Sequence, residues 1–91
     1  MNEPKTNSLD DYLANNGLLL GQFCEQFNTG NQYISIGTFQ RILSTLRGKD
    51  DAIPHNTTIK KLADELRVEG AALLAELNAG AAKYRAVQAN Q

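Results

Sequence analysis

The stretch Ile34-Ser35-Ile36-Gly37-Thr38-Phe39-Gln40-Arg41-Ile42 decides how this chain is read. It places a small hydroxyl residue near its start and apolar residues at Ile34, Phe39 and Ile42. With Ser35 as N-cap, its hydroxyl accepts a hydrogen bond from an otherwise orphaned amide of the first helical turn. Phe39, Ile42, Leu43 and Leu46 follow at helical spacing and predict one buried stripe. The opposite face carries Gly37, Gln40, Arg41, Ser44 and Arg47, which either form hydrogen bonds or are too small to obstruct. A helix anchored on one side and bearing Gln and Arg on the other has the form in which side chains reach base edges in a major groove.

Outward from this helix, the chain predicts further helices on both sides and no sustained strand alternation. Toward the C-terminus, Gly48 ends the helix and Lys49 to Pro54 makes a loop. Asn56 or Thr57 is then expected to cap a fourth helix, whose Ile59, Leu62, Ala63 and Leu66 repeat at helical spacing. Lys60 and Asp64 form an i,i+4 pair on its exposed side. Leu73, Leu74 and Leu77 continue the apolar pattern, and residues 78–91 read as a helical or disordered tail weakened by Gly80.

Toward the N-terminus, Asn28 to Gln32 is dense in turn formers and reads as a loop. Before it, Leu18 to Asn28 is expected to be a helix with Leu19, Leu20, Phe23, Cys24 and Phe27 on its apolar side. Ser8-Leu9-Asp10-Asp11 matches a capping box with Ser8 as N-cap, opening a first helix that Asn16-Gly17 stops. Residues 1–7 read as a flexible arm. The expected architecture is all-α: a compact bundle of about five short helices with a central helix-turn-helix spanning residues 8–77.

At 91 residues the chain makes one domain with one modest core. Leu18-Leu19-Leu20, its longest apolar run, is far below the roughly 20 residues of a spanning helix. The start lacks the basic-then-apolar layout of a signal peptide. A lone Cys24 excludes an internal disulfide and fits a cytoplasmic location, while one His and one Cys do not make a structural zinc site. Net charge is −1, yet residues 40–61 hold Arg41, Arg47, Lys49, Lys60 and Lys61 against Asp50 and Asp51, so a basic patch on that half is expected.

Two segments resemble the Cro/lambda-repressor-like, or XRE-type, helix-turn-helix family. Ile34 to Ile42 is similar to that family's V-S-x-x-T-I-S-R-I recognition helix. Pro54-His55-Asn56-Thr57-Thr58-Ile59-Lys60-Lys61-Leu62-Ala63-Asp64-Glu65-Leu66-Arg67-Val68 is similar, without a gap, to its P-S-x-x-T-L-x-K-L-A-x-A-L-G-V. Leu73-Leu74 stands where the family's closing L-L falls. The link from Asn28 to Tyr33 is longer than the family's turn, the family's phosphate-holding Gln would fall near Leu20 and is missing, with Gln22 close by, and Arg67 replaces the glycine of L-G-V. The resemblance implies DNA binding, with base-reading positions at Ser35, Ile36, Gly37, Gln40, Arg41 and Ser44.

Arg47, Lys49 and Lys61 are the expected backbone grips, and residues 73–87 the expected homodimer surface on double-stranded DNA. The expected role is transcriptional regulation. The competing expectation is a degenerate helix-turn-helix fold that docks a protein partner. Asp10-Asp11 and Asp50-Asp51 are adjacent pairs without a His or nucleophile at useful spacing, and there is no Gly-rich phosphate loop. Neither catalysis nor a cofactor is implied. Cys24 reads as a buried inert thiol, His55 as a solvated or capping residue, and Tyr12, Phe23, Phe27 and Phe39 as core.

Overall fold

Among the described residues, three helices end in the same backbone device. The computed structural model describes residues 7–29 and 33–90, and within them lie α1 (Ser8–Asn16), α2 (Leu20–Thr29), α3 (Ile36–Leu46), α4 (Asn56–Leu66) and α5 (Gly70–Ala89), with no strand. At the end of α1, Gly17 takes the left-handed conformation and the amide N–H groups of Gly17 and Leu18 donate to the carbonyls of Ala14 and Leu13. Gly48 and Lys49 repeat this after α3, donating to Thr45 and Ser44. Arg67 and Val68 repeat it after α4, donating to Asp64 and Ala63. This crossed pair of bonds satisfies the carbonyls that a helix end leaves open. At two of the three sites glycine supplies the positive φ; at the third Arg67 adopts φ 60° in its place.

The N-termini depart from the sequence reading in three places. Asn7, not Ser8, caps α1: its Oδ1 accepts from the amide of Asp10 at 2.8 Å. Ser8 is thereby the first helical residue, and its amide N–H (2.8 Å) and hydroxyl both donate to the Glu76 carboxylate of α5. A carboxylate at a helix N-terminus is favoured by the helix dipole, and this one comes from 68 residues away, which no local pattern could reveal. Helix α2 begins at Leu20, and the Gln22 side chain turns back to accept from the amide of Leu19 at 2.8 Å, the reciprocal half of a capping box. Leu19 is consequently exposed rather than on the apolar stripe. Helix α4 is preceded by His55, whose side chain makes no capping bond, rather than by Asn56 or Thr57.

The core is where the spacing placed it. Phe39, Ile42, Leu43 and Leu46 of α3 are buried together with Phe23, Cys24 and Phe27 of α2 and Ile59, Leu62, Ala63 and Leu66 of α4. Phe23 and Phe39 meet edge to face at 5.6 Å between ring centres, Phe27 and Phe39 at 5.2 Å, and Tyr12 of α1 caps the cluster against Phe23 at 5.5 Å. Such edge-to-face pairs set a positive ring edge against a negative ring face.

Helix α5 packs chiefly on α3 and α4, and α1 on α4. It runs 20 residues without interruption, so of the two forms expected for the tail, helix is the one that 78–89 takes. From helix propensity alone, Gly80 only weakens α5. In the structure Gly80 and Ala81 are buried, and a Cβ on Gly80 would collide with the Thr45 carbonyl of α3. The missing side chain is what lets the two helix backbones approach. Of the N-terminal arm, only Asn7 lies within the described residues; it is buried.

Candidate nucleic-acid interface

Helix α3 is held by its apolar stripe, and what remains outside is its first two turns. Ser35 caps it as expected: the amide of Thr38 donates to Ser35 Oγ at 3.2 Å. The chain enters α3 under control of Asn28, the penultimate residue of α2. Asn28 Oδ1 accepts from the amide of Ile34 at 2.9 Å while its Nδ2 donates to the Ile34 carbonyl at 2.9 Å. A side-chain amide that pairs with both backbone groups of one residue fixes that residue's position and orientation together. Sequence reasoning placed Asn28 in a loop because asparagine favours turns; residues 30–32 of that loop lie outside the described residues.

Beyond the cap, Ile36, Gly37, Thr38, Gln40 and Arg41 are exposed, whereas Ser44 is half-buried. Ser35 is half-buried and occupied by its capping bonds to the Thr38 amide and hydroxyl. The exposed large apolar residues Tyr33 and Ile36 flank the start of the helix. The face available to a partner is thus apolar and small at Ile36 and Gly37, then polar at Gln40 and Arg41.

The two arginines of this region are held differently. Arg47, the C-cap residue of α3, engages Asp10 of α1 through both Nε (3.0 Å) and Nη2 (2.7 Å), one to each carboxylate oxygen. This pairing and burial act in opposite directions on Asp10; the hydrogen bond from Arg47 dominates and holds its carboxyl below the usual value, while Arg47 itself is raised. Arg47 therefore joins α1 to α3. Arg41 meets Asp50 through Nε alone, at 3.2 Å. The amides of Asp51 (2.7 Å) and Ala52 (3.3 Å) donate to Asp50 Oδ1, and with Arg41 they hold its carboxyl below the usual value, the Asp51 amide most of all.

The loop between α3 and α4 is fastened to α3 by a residue that the sequence reading did not single out. Thr45 is fully buried, and its one hydroxyl proton is directed at the carbonyls of Ala52 (2.7 Å) and Arg41 (3.1 Å). Only its place beside Leu46 on the inner side of α3 hinted at this. The same loop, with Thr38, Arg41 and Ile42, encloses a notch of about 110 Å³ whose remaining walls are Ala52, Ile53 and Pro54. Arg85 of α5 reaches Asp51 at 3.5 Å.

Lys49 is exposed beyond the end of α3, and Lys61 is half-buried on α4. The structure therefore gathers Ile36, Gly37, Gln40 and Arg41 on the exposed first turns of α3 and ties Arg47, itself exposed, to Asp10. A larger groove of about 450 Å³ lies between the end of α3, α5 and the start of α1, where Arg47, Glu76 and Lys83 border a floor of Ala79 and Gly80. It shares none of the exposed residues of the first α3 turns. In the expected dimer stretch, Leu73, Leu77, Gly80 and Ala81 are buried within the chain, leaving Ala75, Ala82 and Ala86 among the exposed residues.

Among the described residues no His, Cys, Asp and Glu cluster is arranged to hold a metal, and no helix is long and apolar enough to cross a membrane. No protein-family model matches the chain, and neither the curated proteins nor the solved structures give a match.

Proposed function

We propose that this protein binds double-stranded DNA sequence-specifically and acts as a transcriptional regulator, with the first turns of α3 entering the major groove. The observation that carries the reading is the division of α3. Its stripe of Phe39, Ile42, Leu43 and Leu46 is sealed in the core, while Gln40 and Arg41 stand exposed one turn beyond a Ser35-capped N-terminus. Gln and Arg are the side chains whose paired hydrogen-bonding groups match the major-groove edges of adenine and guanine. The resemblance of residues 34–42 and 54–68 to XRE-type domains supports the same reading.

Arg41, Gln40 and Ser44 meet bases or phosphates in this scheme, and Lys49 and Lys61 grip the backbone. Arg47 contributes by fixing the end of α3 to α1 rather than by contacting phosphate. A homodimer through the exposed alanine side of residues 73–87 would set two half-sites about one helical turn, roughly 34–36 Å, apart.

The test is a polarisation titration of labelled duplex DNA at about 50 and 200 mM salt, an interval over which counterion release weakens phosphate-dependent binding steeply. Marked weakening between the two supports the reading. Absence of binding at both overturns it in favour of the second reading, a protein-interaction module. That reading is favoured by the carboxylates that Arg41 and Arg47 already meet within the chain.

A further inference from the structure

Arg41 and the notch beside it have separate chemistries that one ligand edge would satisfy together. The Nε bond to Asp50 leaves Nη1 and Nη2 of Arg41 without a partner among the described residues, on a side chain 67% exposed. Asp50 is itself tied by two backbone amides, and the Thr45 hydroxyl fastens the loop that carries it. A guanidinium anchored through Nε to a fixed carboxylate loses less rotational freedom when its remaining donors find acceptors. The adjoining notch is walled by Ile42, Ala52, Ile53 and Pro54, with Thr38 and Arg41 completing its border, so its apolar wall suits a methyl-sized group next to the guanidinium.

In a major groove, guanine alone offers two acceptors, O6 and N7, that match such a fork. The C5-methyl of a pyrimidine is the apolar group displayed there. We propose that Arg41 and the notch form a two-part reading site for a base step that joins guanine to a C5-methylated pyrimidine, thymine or 5-methylcytosine. Arg41 Nη1 and Nη2 take the guanine edge, the methyl enters the notch against Ile53 and Ile42, and Asp50 is a positioning residue that aims Arg41. The proposal rests on the DNA-binding reading and goes beyond it by naming the step that is read.

The experiment is selection of preferred duplexes from a random pool by the full chain, followed by titration of the best site with single-base changes. Replacing the thymidine beside the guanine by deoxyuridine removes only the methyl and is expected to weaken binding about fourfold, the ratio equivalent to about 0.8 kcal/mol for one methyl-sized group. Placing 5-methylcytosine for cytosine at a G-neighbouring position is expected to strengthen it by a similar factor. Ile53→Ala should abolish the methyl effect and keep the guanine preference. Asp50→Asn should cut the guanine-over-adenine preference about tenfold, within the range of one bidentate base contact, with its urea midpoint close to that of the parent.

Equal affinity for thymidine and deoxyuridine sites overturns the notch as a methyl reader. An undiminished guanine preference in Asp50→Asn overturns the positioning role. Selected sites without guanine at the step overturn the proposal while leaving DNA binding intact, whereas no selectable duplex removes the DNA-binding reading itself and the proposal with it.

Discussion

Replacing Gly80 by alanine sets two well-measured effects against each other, and the structure decides which wins. In an exposed helix interior the change would stabilise, because alanine is favoured over glycine by about 1 kcal/mol. At this site the new Cβ would fall well inside 3.0 Å of the Thr45 carbonyl oxygen, with the Thr45 carbonyl carbon at 3.0 Å and the Leu46 oxygen at 3.3 Å. These are backbone atoms of a neighbouring helix, so no side chain can swing aside; α5 must move off α3 by more than about 1 Å, loosening the packing of Leu73, Leu77 and Ala81. Overpacking of this kind costs typically about 1–3 kcal/mol, and a backbone obstacle puts the cost at the upper end. After the propensity gain is subtracted, a net loss of about 2 kcal/mol is expected, or a fall in Tm of roughly 8–16 °C for a domain of this size.

Gly21 provides the internal comparison. It is exposed within α2, and a Cβ there meets nothing within 4 Å. Gly21→Ala should raise stability by about 0.5 kcal/mol. Urea unfolding followed by circular dichroism at 222 nm measures both variants against the parent. A Gly80→Ala protein as stable as the parent, alongside a stabilised Gly21→Ala, would show that α3 and α5 do not make the described close approach.

Three further outcomes are expected. Arg67→Gly relieves a left-handed residue at a cost of about 1–2 kcal/mol against a denatured-state entropy gain of about 0.4–1 kcal/mol. Its urea midpoint should therefore rise by the equivalent of about 0.5–1 kcal/mol, and an unchanged or lowered midpoint argues against the αL end of α4. Thr45→Val keeps the shape but leaves the Ala52 carbonyl without its donor, so a loss of about 1 kcal/mol and faster amide exchange at Ala52 are expected; unaltered exchange there would separate Thr45 from the loop. Asp10 has a folded-state pKa below its unfolded one because Arg47 bonds its carboxylate, so its contribution is complete above about pH 4 and lost as pH falls through the folded value. Asp10→Asn should thus be less stable than the parent at pH 7 and converge on it as pH falls below the ordinary carboxylate range, and a gap constant with pH would deny the pairing a role.

The candidate site was legible to differing degrees, and the differences have one physical origin. Ser35 as N-cap and the buried Phe39, Ile42, Leu43 and Leu46 follow from interactions within one helix, whose period fixes which side chains share a face. The exposed set of Gln40 and Arg41 follows by elimination from the same period. Whether an exposed arginine is engaged depends on what lies opposite in space: Arg47 meets Asp10, 37 residues away, and Arg41 meets Asp50, which is close in sequence but reached only because the loop folds back. The roles of Asn28 and Thr45 are not legible in the sequence, because a polar side chain there signals a turn or a surface and only its partners in space define what it holds.

By itself the sequence determined the helical class, the number of helices among the described residues, most of the core positions, with Leu19 the exception, and the glycine-ended turns at Gly17 and Gly48, since all of these depend on contacts between residues a few positions apart. Tertiary structure alone decided that Glu76 meets the start of α1, that Gly80 is where two backbones touch, that α5 continues through Ala89, and that an apolar notch opens beside Arg41. Each of those depends on the distance and angle between elements, quantities set by the packing of the whole core and carried by no local pattern.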